Sequence, residues 1–156
     1  MKQIKVKKGQ ILQRRGDLNS KVYHVESGLL RSYSIDEKGK EHIYMFAPEN
    51  WIMADNCEAN SPCELFIDAL EDSVLIVSDK EKAMENADAH SLVRRLFTLQ
   101  HRIISLMSSS AIERYEHFVD TYPNIVQRVS QRMIASYLGV TPEALSKAKG
   151  DKARYK

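Results

Sequence analysis

Cysteine is scarce in this chain: two residues, Cys57 and Cys63, among 156. Two are too few for a disulfide framework, and no second cysteine pair or histidine cluster completes a zinc site. Free thiols in a reducing cytoplasm are the expected state. Long apolar runs are missing as well; no stretch approaches the ~18 residues that a membrane span requires. Lysine dominates the segment from Met1 to Lys8, and no apolar stretch follows its charges. Nothing there has the form of a signal peptide. Also absent are a glycine-rich phosphate loop, a nucleophile elbow and a metal-spaced histidine pair. His24 and His42 lie in strand patterns, and His90, His101 and His117 in helical ones. Each is expected as a surface or packing residue rather than a base, so catalysis is not expected.

What is present is an ordinary globular balance, 43% hydrophobic and 28% charged. The charge is unevenly divided. Residues 1–88 carry 12 Lys/Arg against 16 Asp/Glu, a net of −4, whereas residues 89–156 carry 11 against 5, a net of +6. From Asn124 onward there are 7 basic and 2 acidic residues. Such asymmetry points to a polyanionic partner for the basic half, although a solvated basic tail would give the same count.

Residues 1–78 read as β structure. Ile4-Lys5-Val6 alternates, Gly9 breaks the run, and Gln10 to Gln13 resumes it. Val22 to Val25, Leu29 to Ile35, His42 to Phe46, Leu65 to Ile67 and Val74 to Val77 are short β-branched or aromatic runs between turn signals. Asp36-Glu37-Lys38-Gly39 makes residues 29–46 a hairpin candidate. Short strands at regular spacing, with no crossover helix between them, imply a sandwich or barrel.

The period then changes. Leu92, Leu96, Leu99, Ile103 and Leu106 recur at steps of four, three, four and three, which is a heptad seam. Val93, Phe97, Ile104 and Met107 form a second stripe beside it. One stripe is free to meet a second chain while the other packs internally; the alternative is that both belong to an internal core. Ser108-Ser109-Ser110 interrupts the helix, and Ser110-Ala111-Ile112-Glu113 has the capping-box form, so a new helix starts there. It should stop near Tyr122-Pro123.

The last segment has the form of a helix-turn-helix. Gln131 to Leu138 is a helix of about two turns. Gly139 stands at a turn that favours positive φ, Thr141 is an N-cap and Pro142 a first helical residue. Ile134, Leu138, Val140 and Leu145 supply a small core, and Ala135 is small where the helices approach. The competing view is a generic helical hairpin. A second helix of this kind can enter the major groove, with Pro142, Glu143, Ser146 and Lys147 as groove-facing candidates. Arg128, Arg132, Lys149 and Lys152 are placed around it for phosphate contact.

The whole chain resembles the Crp/Fnr family of bacterial transcription regulators, most specifically over Arg128 to Ser146. It is similar to the short Crp/Fnr-like regulators of Bacteroidetes. The resemblance implies an α+β chain. It comprises a cyclic-nucleotide-binding-like jelly roll, or double-stranded β-helix, over 1–88, a dimerisation helix over 89–108 and a DNA-binding helix-turn-helix domain over 109–156. It also implies a homodimer, an inverted-repeat DNA site, RNA polymerase as a further partner, and no membrane association. Glu143 falls where family members read a base, and Lys147 where many carry a basic contact; Thr141, Ser146, Arg128, Arg132 and Lys149 complete the implied DNA-binding set. The implied effector region comprises Trp51, Met53, Ala54, Asp55, Cys63, Glu64 and Leu65.

Two departures qualify it. Cyclic-AMP-binding members carry a Gly-Glu pair and then an Arg-Ser or Arg-Thr pair. Here Met53-Ala54 and Cys63-Glu64 stand there. No guanidinium remains for a cyclic phosphate, Glu64 would repel one, and Ala54 lacks the ribose partner. Cyclic AMP is therefore not expected to bind, no cofactor is expected, and the effector is open. Nor can Cys57 and Cys63 supply the four thiolates of the family's iron–sulfur sensors. Second, only six residues follow Gly150, too few for a winged helix's β-hairpin, and Ala148 replaces a bulky apolar residue. A truncated or absent wing, a loosely held last helix and fraying from Asp151 to Lys156 are expected. The alternative function is a dimeric small-molecule-binding or interaction module with lost or weak DNA binding.

Overall fold

The structure is a computed structural model and describes residues 1–55, 57–58, 60–85 and 88–154. The chain divides into two compact units, Met1–Ala87 and Asp88–Lys156.

The first unit holds eight strands: β1 (Lys2–Val6), β2 (Ile11–Gln13), β3 (Lys21–Ser27), β4 (Leu30–Ile35), β5 (Glu41–Ala47), β6 (Ile52–Ala54), β7 (Phe66–Ala69) and β8 (Ser73–Asp79). They form two four-stranded sheets, ordered β1-β8-β3-β6 and β2-β7-β4-β5. Among the described residues the ladders of both sheets are antiparallel. Successive strands pass from one sheet to the other except at the β4–β5 hairpin, which is the winding of a jelly roll. Inward-facing side chains of both sheets meet in one core, including Val25, Leu30, Met53, Ile67 and Leu75. The β3–β4 corner passes so close to β8 that a Cβ on Gly28, whose φ is +98°, would lie 2.1 Å from Ser73 Oγ. Only glycine fits there on both counts.

One buried ion network braces the second sheet. Arg31 Nε and Nη2 donate to the two carboxylate oxygens of its cross-strand neighbour Asp68 at 2.9 and 3.0 Å, and Nη1 donates to Glu41 at 2.6 Å. The guanidinium also stacks 4.2 Å from the Tyr33 ring centroid. Burial opposes the charge on Arg31, but the hydrogen bonds from Arg31 to Asp68 and Glu41 outweigh it and raise its pKa.

Two elements lie outside the sequence expectation. β6 is three residues long and its run, Ile52-Met53-Ala54, is too short to show alternation. A helical turn, α1 (Lys80–Glu85), follows β8 directly.

The second unit holds α2 (Ala89–Ser108), α3 (Ala111–Thr121), α4 (Pro123–Val126), α5 (Gln131–Tyr137) and α6 (Pro142–Arg154). The serine run ends α2, and Ser110 caps α3 with both halves of the capping box in place. Phe118, Ile125, Ile134, Ala135, Leu138 and Leu145 are its buried centre. The ring of Phe118 sits 5.3 Å from that of Tyr137 and 5.5 Å from that of Tyr122.

The expected fraying from Asp151 is corrected: α6 stays helical through Arg154, with Tyr155 and Lys156 outside the described residues. Two contacts join α6 to α3. Lys149 Nζ donates to Tyr115 Oη at 3.1 Å and lies 4.4 Å above that ring, and Lys152 pairs with Glu116. These two lysine ammonium groups link α6 to α3 on either side of Ala148 and Gly150.

Candidate nucleic-acid interface and effector region

The approach to the turn is set by local chemistry. Ser130 Oγ accepts from Met133 N at 3.2 Å and caps α5. Gly139 takes φ +68°, reversing the chain after Leu138. Thr141 Oγ1 then accepts from Ala144 N at 3.1 Å, so Pro142 stands at the first helical position of α6, where its missing N–H costs nothing. Leu145 is fully buried against the rest of the unit, while Pro142, Glu143, Ser146 and Lys147 are exposed. The last three lie at i, i+3 and i+4 and therefore share a face. Glu143 is held below the ordinary carboxylate range, first by its own backbone N–H at the helix start and then by Thr141, with Arg132 adding an opposite charge. An ionised acceptor thus stands at the amino end of the exposed face.

The carbonyl end of α5 is secured by two guanidinium groups. Arg114 of α3 donates to Leu138 O at 2.6 Å, and Arg102 of α2 donates to Tyr137 O at 3.0 Å while lying 4.1 Å over the Tyr137 ring. Helix ends expose unpaired carbonyls, and cationic donors suit them.

The other predicted DNA-facing residues are placed unevenly. Arg132 is exposed on α5, Arg128 is half-buried after α4, and Lys149 is turned onto Tyr115. Along α2, Leu92, Leu96, Ile103 and Leu106 of the seam are exposed, Leu96 at 67% and Ile103 at 57%, with Leu99 half-buried. Val93, Phe97, Ile104 and Met107 of the second stripe are exposed too.

In the first unit, the predicted effector residues do not share one environment. Met53 is fully buried in the core, Trp51 and Glu64 are exposed, and Ala54 and Leu65 are half-buried. Asp55 and Cys63 are buried and come together. Asp55 Oδ2 accepts from Glu64 N at 2.8 Å, Leu65 N at 2.9 Å and Gln13 Nε2 at 3.0 Å. It thus fastens the start of β7 to the end of β6. Lys80 reaches in from α1, its Nζ 2.8 Å from Asp55 O, also donating to Cys57 O and lying 3.4 Å from Cys57 Sγ. Burial first, and then the neighbouring Cys57, push the Cys63 thiol up to about 11.

Sequence reasoning missed Arg102, Arg114, Ser130 and Lys80. Ser130 had a readable signal, a serine just ahead of an apolar-periodic run. The other three act across long separations that no local pattern encodes.

An eight-stranded jelly roll followed by a long amphipathic helix and a helix-turn-helix is the layout of a ligand-responsive DNA-binding class. Known proteins agree. The cyclic nucleotide-binding domain family matches residues 3–90. The anaerobic regulatory protein of Aggregatibacter actinomycetemcomitans is 27% identical over 172 aligned positions, covering 93% of this chain and 64% of that protein. The fumarate and nitrate reduction regulatory protein of Yersinia pestis is 28% identical over 170, covering 93% and 66%. The chain thus spans about two thirds or less of these relatives. Among solved structures, FixK2 from Bradyrhizobium japonicum superposes with a TM-score of 0.76 at 20% identity, covering 99% of this chain and 85% of that one. A CRP/FNR-family transcriptional regulator from Thermus thermophilus gives 0.71 at 16%, covering 99% and 87%. The chain belongs to the cyclic nucleotide-binding domain family and is similar to regulators of the Crp/Fnr group.

Proposed function

We propose that this chain is a sequence-specific, DNA-binding transcriptional regulator that acts in the cytoplasm as a homodimer. The observation that carries the reading is the capped turn at Gly139–Thr141, which leaves Glu143, Ser146 and Lys147 together on an exposed helix face. Such a face is what a recognition helix offers to base edges, while Arg128 and Arg132 supply phosphate contacts. The apolar stripes exposed on α2 support pairing with a second copy, since an isolated helix would not keep so much apolar surface in water. A two-fold dimer calls for an inverted repeat with half-sites about 34 Å apart. RNA polymerase is the further partner in this reading, and no catalysis is assigned. With Ala54 and Glu64 at the positions discussed above, the β unit does not take cyclic AMP.

Binding isotherms against a randomised-site library at two salt concentrations test it. Arg132→Ala should weaken binding to all sequences alike and reduce the salt slope by about one per site. Glu143→Ala should relax preference at one base pair per half-site, by roughly 1–3 kcal/mol. An unchanged selected sequence in Glu143→Ala overturns the recognition-helix assignment. If the parent chain selects no sequence, the interaction-module reading replaces this one. Sedimentation of Leu96→Glu should show monomer where the parent is dimer, and calorimetry should detect no tight cyclic AMP binding.

A further inference from the structure

The loop between β6 and β7 gathers three ligands of two types, one carboxylate and two thiols. Asp55 follows β6 directly. Ser61 N donates to Glu58 O at 3.2 Å. Cys63 is pinned by hydrogen bonds of 2.8 Å from Cys63 N to Asp17 O and from Gly16 N to Cys63 O. As a result a carboxylate oxygen of Asp55 and the sulfurs of Cys57 and Cys63 all lie within 4.8 Å of one another.

We propose that Asp55, Cys57 and Cys63 form a binding site for one thiophilic divalent cation such as Zn2+, with a fourth position left open. It rests on no part of the DNA-binding reading. Zn–S and Zn–O bonds of about 2.3 and 2.1 Å imply tetrahedral edges of roughly 3.6–3.8 Å, so closure on an ion asks for a movement of at most about 1 Å. Asp55 has the capacity. Its Oδ2 is engaged by Gln13, Glu64 and Leu65, which orient the carboxylate as second-sphere donors do. Its Oδ1 accepts from Cys57 N at a long 3.4 Å.

Charge balance supports the assignment. Asp55 is 3% exposed and Cys63 2%, so an uncompensated charge there would be costly. A divalent ion, two thiolates, one carboxylate and the Lys80 ammonium sum to no net charge. Lys80 Nζ, 3.4 Å from Cys57 Sγ and 8% exposed as a residue, is the outer-sphere donor to that sulfur. An open fourth position suits an exchangeable or sensed ion better than a purely structural one, which is closed by four protein ligands.

The test uses the full chain, reduced and stripped with chelator, titrated with Zn2+ against a competing indicator and separately with Co2+. One ion per chain is expected, with thiolate-to-Co2+ charge-transfer absorption. Cys57→Ser, at a half-exposed position whose fold is checked by circular dichroism, should weaken Zn2+ by more than about 100-fold, beyond what losing an outer-sphere partner costs. Cys63→Ser should do the same, while Glu58→Ala, which removes an exposed carboxylate of the same loop outside the cluster, should leave affinity unchanged. Absence of the thiolate band, undiminished binding in Cys57→Ser, or an equal loss in Glu58→Ala overturns the proposal. So does a chain that forms a Cys57–Cys63 disulfide with peroxide yet takes up no ion when reduced.

Discussion

Gly139→Ala is the sharpest probe of the helix-turn-helix, because two costs fall on one methyl group. The residue sits at φ +68°, where an L side chain costs about 1–2 kcal/mol. Its Cβ would also lie 3.2 Å from Leu106 Cδ2 and 3.7 Å from Arg114 Nη1. The first distance is a few tenths of an ångström short of ordinary carbon contact, but Leu106 is 40% exposed and its side-chain end can turn aside, so the backbone carries most of the cost. Together the terms should destabilise the second unit by about 2 kcal/mol, within the range for strained backbone substitutions. The measurement is urea unfolding followed by helical ellipticity, with hydrogen exchange of α5 and α6 amides locating the loss. Gly139→Asn separates the two costs. Asparagine tolerates the left-handed region, so it should recover most of the backbone term and none of the contact term. A Gly139→Ala chain as stable as its parent would refute the geometry of this turn.

Two further outcomes concern the β unit. Asp68→Ala strips Arg31 of its paired acceptors and leaves Glu41 alone to hold a buried guanidinium, which should cost about 3 kcal/mol. Arg31→Met with Asp68→Leu should cost less than that single change, and a single change below about 1 kcal/mol in urea unfolding would sink the argument. Asp36 is held down to about 2, chiefly by its hydrogen bond with His42 and next by the Lys40 backbone N–H, against an ordinary 3.8. Its folded value lies below its unfolded one, so its contribution is present above pH 3.8 and lost as pH falls toward 2. Asp36→Ala should therefore flatten the acid limb of a stability–pH curve over that interval, and an unchanged limb counts against the hairpin's cap.

The elements most readable in the sequence were those whose signals are local. The β4–β5 hairpin is announced by Asp36 to Gly39, the break between α2 and α3 by the serine run and Glu113, and the turn before α6 by Gly139, Thr141 and Pro142. β6 and α1 were hidden because three residues show no period and one helical turn has no stripe. Ala148 misled in a different way. Its small size gives no hint that the ammonium groups of Lys149 and Lys152 reach Tyr115 and Glu116. The cluster of Asp55, Cys57, Cys63 and Lys80 was out of reach because it depends on where β6, β7 and β8 end relative to one another. That is a matter of register between strands distant in sequence.

The two guanidinium groups at the end of α5 have a mechanical meaning. A helix fastened at one point can swivel about it; fastened to two bodies at consecutive carbonyls, it keeps no such freedom. Arg102 ties Tyr137 O to α2, and Arg114 ties Leu138 O to α3, one residue apart along the chain. A tilt of α2 against α3 would strain or break one of these two hydrogen bonds, so the position of the α5 end, from which the turn departs, is set by side chains outside the motif.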